Sequence, residues 1–260
     1  MQSKRPIGIF DSGVGGLSVL KEIKKNLPSE NLIFLADQKN VPYGLKTQKE
    51  LEKITERITR FLLKYDIKML VIACNTATCY ALSYLREKFN IPIIGVVPAI
   101  KPAAQKSRKF KIAVMSTPAT ANSAYLKNLI KEHAGNMEVL RLGCEGLEDS
   151  IEELDYQRIE ASLPDYVSEI KVFGADVVVL GCTHYPLIKD NIKKSLGTGI
   201  SVIDSSQAVA NRVHYILAEN EMLSREKLSE TYYTTADALK FSQVASVLLN
   251  CDVIAQKAII

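Results

Sequence analysis

No uninterrupted apolar run in the 260 residues approaches the roughly 18 that a transmembrane helix needs, so no membrane-spanning segment is expected. Neither a CxxC pair nor an HxxxH spacing is present, which argues against a structural zinc site. Cysteines are few and odd in number, at 74, 79, 144, 182 and 251. The stretch from Met1 to Phe10 carries Lys4 and Arg5 and runs into Asp11 after too short an apolar segment for a secretory signal. A cytoplasmic location is therefore expected, and a disulfide framework is not. Excess charge is also scarce: the formal net charge is +4, with bases scattered among acids. Nothing in that balance asks for nucleic acid or an anionic membrane as partner. What remains, 47% hydrophobic and 24% charged, is the composition of a soluble globular protein. Its length fits one large domain or two smaller ones.

Short β-branched runs alternate with longer amphipathic segments, the pattern of βαβ units around a parallel sheet. Strands are predicted at 7–10, 32–35, 70–73, 93–96, 112–115, 138–140, 177–180 and 200–203, each a nearly continuous apolar run of the kind covered on both faces. Leu51, Ile54, Ile58, Phe61, Leu62 and Tyr65 recur at three- and four-residue steps and predict an amphipathic helix. A second helix is predicted over about 208–217. A final strand at 231–235 leads through Asp237 into a helix over 238–249.

The two halves of the chain echo each other. IGIFDSG at 7 answers KIAVMST at 111, MLVIACNTAT at 69 answers VVVLGCTHYP at 177, and IPIIGVV at 91 answers ISVIDSS at 200. The nearly constant offset predicts two similar α/β lobes. The segment from Val97 to Lys111, with Pro98, Pro102 and five basic residues, is the expected crossing between them.

In open α/β sheets, ligands bind beyond the carboxyl ends of the strands, so the residue after each strand directs the search. The first strand ends in Asp11-Ser12-Gly13-Val14-Gly15-Gly16. Three glycines let a ligand approach the backbone, and a helix starting there offers free N–H groups to an anion. The loop is not a dinucleotide fingerprint, because Ser18 stands where GxGxxG needs glycine, and no Gly-Lys-Ser/Thr follows to make a P-loop. A tight strand-to-helix turn is the competing reading. Val41-Pro42-Tyr43-Gly44 reads as an ordered turn whose aromatic walls a pocket, or simply as a loop.

Cys74-Asn75-Thr76 and Cys182-Thr183-His184 each follow an apolar run and open an expected helix. A thiol at a helix N-terminus faces the positive end of the backbone dipole, which favours thiolate. One such cysteine reads as a packing residue; two in matching positions of a repeat read as reactive groups. Paired thiols suit inversion of a stereocentre: a thiolate on one side of the carbon removes a proton and a thiol on the other returns one. In reverse, the roles exchange. Asp11 and His184 are the expected supports. Cys79, Cys144 and Cys251 lack a companion motif and are expected to be packing groups. His133 and His214 fall in helical stretches away from strand ends. Thr117 and Thr120 follow the strand matching that of Asp11-Ser12 and are candidates to bind a carboxylate. Glu152, in the acidic run from Glu145 to Glu153, reads as part of a solvated helix face, with entry of one acid into the site left open.

Together, DSGVGG at 11–16, VPYG at 41–44, CNTAT at 74–78 and GCTHYPL at 181–187 resemble the glutamate racemase family, in order and spacing over nearly the whole chain. The resemblance implies a cytoplasmic enzyme, free of cofactor and metal, that interconverts L- and D-glutamate and supplies D-glutamate for peptidoglycan. It also implies two pseudo-symmetric α/β lobes with the active site in the cleft between them, and a homodimer. On that reading residues 1–97 and 208–260 form the first lobe and 98–207 the second. Carried over by motif, Cys74 acts on the D-enantiomer, Cys182 on the L-enantiomer, and Asp11 and His184 support them. Ser12, Tyr43, Gly44, Asn75, Thr76 and Thr183, with Thr117 and Thr120, correspond to substrate contacts. One region departs: where the family usually has an apolar, Pro-containing stretch before an acid, residues 144–152 read CEGLEDSIE. An aspartate racemase of the same fold is the nearest rival, although CTE rather than CTH is usual there. A non-catalytic anion-binding protein using the Gly-rich loop is the rival of a different class.

Overall fold

The computed structural model describes residues 4–224 and 229–260. Among them are ten strands: β1 (Ile7–Asp11), β2 (Leu32–Ala36), β3 (Met69–Ile72), β4 (Ile93–Gly95), β5 (Lys111–Ser116), β6 (Glu138–Gly143), β7 (Val177–Leu180), β8 (Ser201–Ile203), β9 (Glu230–Thr234) and β10 (Ala255–Lys257). They make two separate sheets in which every pairing is parallel, one ordered β10-β9-β2-β1-β3-β4 and the other β6-β5-β7-β8. The chain divides into two compact units, Met1–Val96 with Ser206–Ile260, and Val97–Ser205. None of the described helices is long and apolar enough to cross a membrane.

The order β2-β1-β3-β4 in the first sheet is repeated as β6-β5-β7-β8 in the second. The three echoes in the sequence fall on β1 and β5, β3 and β7, and β4 and β8, so the repeat is a repeat of topology. The first unit adds β9 and β10 beyond β2.

The second sheet shows why these strands read as continuous apolar runs. Side chains alternate across a strand, and here both faces are covered. Ala113, Met115, Val178 and Leu180 pack into one buried cluster, while Ile112, Val114, Val177 and Val179 pack into another. In the first unit, Phe10, Leu35, Leu70 and Ile72 meet Leu51, Ile58 and Leu62 of the helix Gln48–Leu63 and Ala77, Ala81 and Leu85 of the helix Asn75–Lys88. Thr47 and Glu50 close a reciprocal capping box at the start of Gln48–Leu63. The predicted stripe is buried along that helix, except that Tyr65 lies past its end, half-exposed, with its ring against Phe61 and Tyr233.

Two expectations are corrected and two features are added. The strand β9 is not the last: β10 follows, a three-residue edge whose residues Ala255, Gln256 and Lys257 carry no apolar run to announce it. The longest helix, Tyr156–Phe173, was not anticipated; it keeps Pro164 on its exposed face while Ile159, Leu163, Val167 and Ile170 are buried. The Val97–Lys111 segment, the expected crossing, also folds the helix Ile100–Lys106, whose Ile100 and Ala103 sit in the second unit's core. Cys251 is exposed and does not pack in a core, whereas Cys144 is fully buried and Cys79 partly so.

Candidate active site

In the first unit, Asp11 ends β1 and is fully buried. Its Oδ1 accepts the Ser12 backbone N–H at 2.6 Å and the Ser12 hydroxyl at 3.1 Å. That hydroxyl also lies 3.7 Å from the sulfur of Cys74. Asp11 therefore reaches the thiol through Ser12. The loop can bend this tightly because of Gly16: a Cβ there would stand 2.7 Å from Asp11 Cβ and 3.1 Å from Ala73 Cβ. At least this glycine answers to packing, as the competing reading of the loop held.

Cys74 follows β3 as the N-cap of the helix Asn75–Lys88, and its sulfur accepts the Ala77 N–H at 3.4 Å. An amide donated to sulfur at the positive end of a helix favours the charged thiolate over the thiol. Asn75 and Thr76 form the first turn and are buried. The Asn75 Nδ2 group is buried with no hydrogen-bond partner in the structure. An unspent buried donor is unfavourable by itself and is the kind of group a ligand satisfies.

Tyr43 and Gly44 lie in the 3₁₀ turn Tyr43–Leu45. Gly44 is exposed, while Tyr43 is buried and donates its hydroxyl to Asp37 Oδ2 at 2.7 Å. Asp37 also accepts from Thr235 Oγ1 and from Asn40 Nδ2, and its own N–H donates to the Asp11 carbonyl. Burial raises the Asp37 carboxyl above its ordinary range against the pull of these bonds. Burial, then the charge of Asp37, raises the Tyr43 phenol well above its own.

The second unit builds its thiol differently. Cys182 was expected to open a helix; instead it precedes the short 3₁₀ segment Tyr185–Ile188, and the α-helix starts only at Lys189. Its neighbour is an imidazole. His184 Nδ1 lies 3.5 Å from Cys182 Sγ, and His184 Nε2 lies 2.6 Å from Glu152 Oε1. Burial pulls the His184 ring down, yet the bonds and charges of Cys182 and Glu152 hold it well above the usual histidine range. Burial pushes the Cys182 thiol up, with the His184 contact opposing. The pair is coupled: the Glu152 carboxylate favours a protonated ring, and a protonated ring in turn favours the charged form of Cys182. Burial likewise holds Cys144 far above ordinary thiols, as befits a packing group.

Glu152 is thus not on a solvated face. It ends the helix Leu147–Glu152, in which Leu147 and Ile151 anchor in the core and turn the last acid toward His184. The signal was Leu147 and Ile151 at a four-residue step within the acidic run. Thr183 is buried beside Cys182. Thr117 caps the helix Pro118–Asn122 by accepting the Thr120 N–H, and its hydroxyl bonds that of Thr120, so both already serve the local fold. The sequence-predicted residues accordingly form two groups, Asp11, Ser12 and Cys74 in one unit and Cys182 and His184 in the other, with Glu152 joining the second. His133 is the last residue of the helix Ala124–His133, with Nε2 3.5 Å from Glu132 Oε1, and His214 is exposed on the helix Ser206–Glu219.

A family model described as Asp/Glu/hydantoin racemase matches residues 7–213. A curated glutamate racemase from Roseiflexus sp. (strain RS-1) is 40% identical, aligned over 99% of this chain and 97% of its own. The crystal structure of glutamate racemase isoform RacE1 from Bacillus anthracis superposes with a TM-score of 0.92 at 29% identity, covering 99% of this chain and 98% of that one. The Escherichia coli glutamate racemase, solved in complex with L-glutamate and the activator UDP-MurNAc-ala, gives 0.80 at 31% identity, covering 94% and 95%.

Proposed function

The chain belongs to the Asp/Glu/hydantoin racemase family, and from that premise we propose that it interconverts L- and D-glutamate by passing a proton between substrate and two thiols, Cys74 and Cys182. The observation that carries the reading is that each cysteine closes an equivalent strand of the repeat and touches a side chain that is itself bonded to a carboxylate. For Cys74 the relay is Ser12 and Asp11; for Cys182 it is His184 and Glu152.

The two ends are complementary. Cys74, with an amide donated to its sulfur, is the thiolate that removes the α-proton of one enantiomer, breaking C–H and forming S–H. The electron pair left on carbon delocalises into the substrate carboxylate. Cys182, in its thiol form, delivers its proton to the opposite face, forming the new C–H bond and leaving a thiolate that His184 stabilises. Protons and electrons balance with no further reactant, so the scheme asks for no cofactor or metal. In that scheme Cys74 acts on D-glutamate and Cys182 on L-glutamate. The unspent Asn75 amide is the first candidate to hold the substrate carboxylate, with Thr76 and Thr183, buried and close in sequence to the two cysteines, as further candidates.

The product D-glutamate is a building block of peptidoglycan, and a cytoplasmic homodimer making it is part of the same reading. The Escherichia coli relative, whose structure holds L-glutamate and a UDP-MurNAc activator, supports both substrate and setting. Racemisation in deuterated water tests the scheme. Two thiols that trade roles place deuterium mainly in the product enantiomer; equal labelling of recovered substrate and product from the first turnovers, or no exchange at the α-carbon, rejects it.

A further inference from the structure

We propose that the first unit carries an anion site of the phosphate class, distinct from the cysteine residues, in a cavity at the carboxyl ends of β2, β9 and β10. The cavity has a volume of about 180 Å³ and is lined by Lys39, Asn40, Ile54, Arg57, Thr235 and Lys257, with the chain's last residues along one side. Three cations converge on it, and its lining includes no acidic side chain. Among the described residues, none of these three has an ion-pair partner.

Two side-chain carboxylates whose charge reaches these cations are committed elsewhere. Asp37 feels the Arg57 charge, but its oxygens accept from Tyr43, Asn40 and Thr235. Asp237 feels the Lys257 charge, but its Oδ1 caps the helix Ala238–Leu249 by accepting from Leu239 and Lys240. Three like charges around one cavity repel one another and invite a counter-ion. A carboxylate brings a single charge, whereas a phosphate group brings nearly two at neutral pH, with oxygens that match the fork of an arginine. The ends of parallel strands are also where such sheets bind ligands. The floor adds apolar contact from Ile54 and Ala258.

The test is isothermal titration of inorganic phosphate, and in parallel pyrophosphate, into the full chain at fixed ionic strength. Excess glutamate is present so that the cysteine site is occupied. One saturable site per chain is expected. Arg57→Gln should weaken it about tenfold or more, the loss of a charge-assisted hydrogen-bonding partner, and Lys257→Gln and Lys39→Gln should each weaken it by a smaller factor. Lys193→Gln, an exposed lysine of the other unit, should leave it unchanged. All three lining cations are exposed, so the variants should keep the wild-type melting temperature. Absence of saturable heat with both anions, or a site equally strong in the Arg57→Gln/Lys257→Gln double variant, overturns the proposal.

Discussion

Glu152 holds His184 from behind: the carboxylate oxygen lies 2.6 Å from Nε2, which turns Nδ1 toward the sulfur of Cys182 at 3.5 Å. The acid orients the ring and, with Cys182, favours its cationic form. Asp11 stands to Cys74 in a similar relation, with a serine hydroxyl in place of the imidazole.

Glu152→Gln keeps the size of the side chain and removes the charge. Racemisation should fall on the order of tenfold or more, short of the roughly 10²–10⁴-fold attached to an acid or base itself. L- and D-glutamate have equal free energies, so kcat/KM must fall by the same factor in both directions. Measuring both directions checks this. Unchanged turnover would mean that the contact only ties a helix to a loop.

The same variant should shift the pH profile. His184 is held well above its ordinary range by partners that favour the cation, so the imidazolium persists to higher pH than in a free histidine. Removing the Glu152 charge lowers that point. The alkaline limb of kcat/KM should therefore move to lower pH in Glu152→Gln, with the acid limb less affected. A profile that merely drops in height contradicts the assignment.

Cys74→Ala and Cys182→Ala should each abolish racemisation, while Cys79→Ala, at a partly buried position within the helix Asn75–Lys88, should leave turnover nearly unchanged. The fold should survive all three changes, as judged by cooperative melting. Equal loss of activity in all three would assign the cysteines a structural part.

Much of this was legible in the sequence because the deciding signals are local. Runs such as VVVL at β7 mark buried parallel strands without reference to their neighbours, and the echo between 74 and 182 follows from a repeated topology. What stayed hidden depends on contacts made at a distance. Glu152 looks like one acid among several until Leu147 and Ile151 fix the rotation of its helix. The different backbone after Cys182 depends on how residues 182–188 turn before the helix at Lys189, which CTHYP does not reveal. β10 exists because β9 offers it an edge, and nothing in Ala255-Gln256-Lys257 calls for a strand alone.

Glu56 ties together the helices Gln48–Leu63 and Asn75–Lys88, which pack on one face of the first sheet. It accepts from Lys88 and Tyr84 of one and from Arg60 of its own, and these bonds lower its carboxyl from 4.5 to about 2. The folded state thus binds fewer protons than the unfolded chain, so the stabilisation is complete above about 4.5 and disappears as pH falls toward 2. Solvent screening keeps it below about 1 kcal/mol. Glu56→Gln should lower the melting temperature at pH 7 by no more than about 2–4 °C, and the gap should close on acidification. A gap that widens in acid contradicts the sign.

The buried pair Lys68 and Glu30 should behave in the opposite way to a surface pair. Their atoms approach to 2.5 Å with side chains 0% and 1% exposed. Lys68 also donates to the Met222 carbonyl, and Glu30 accepts the Ser224 N–H, so the pair pins the segment after the helix Ser206–Glu219 to the base of β3. Removing one partner strands the other charge without water. Lys68→Met and Glu30→Leu should therefore each destabilise by about 3–5 kcal/mol, while the double variant should lose less than either alone. Denaturant unfolding of all four proteins reads the coupling directly. Additive losses would show that the two charges contribute independently, through their backbone bonds, and that their mutual attraction adds little.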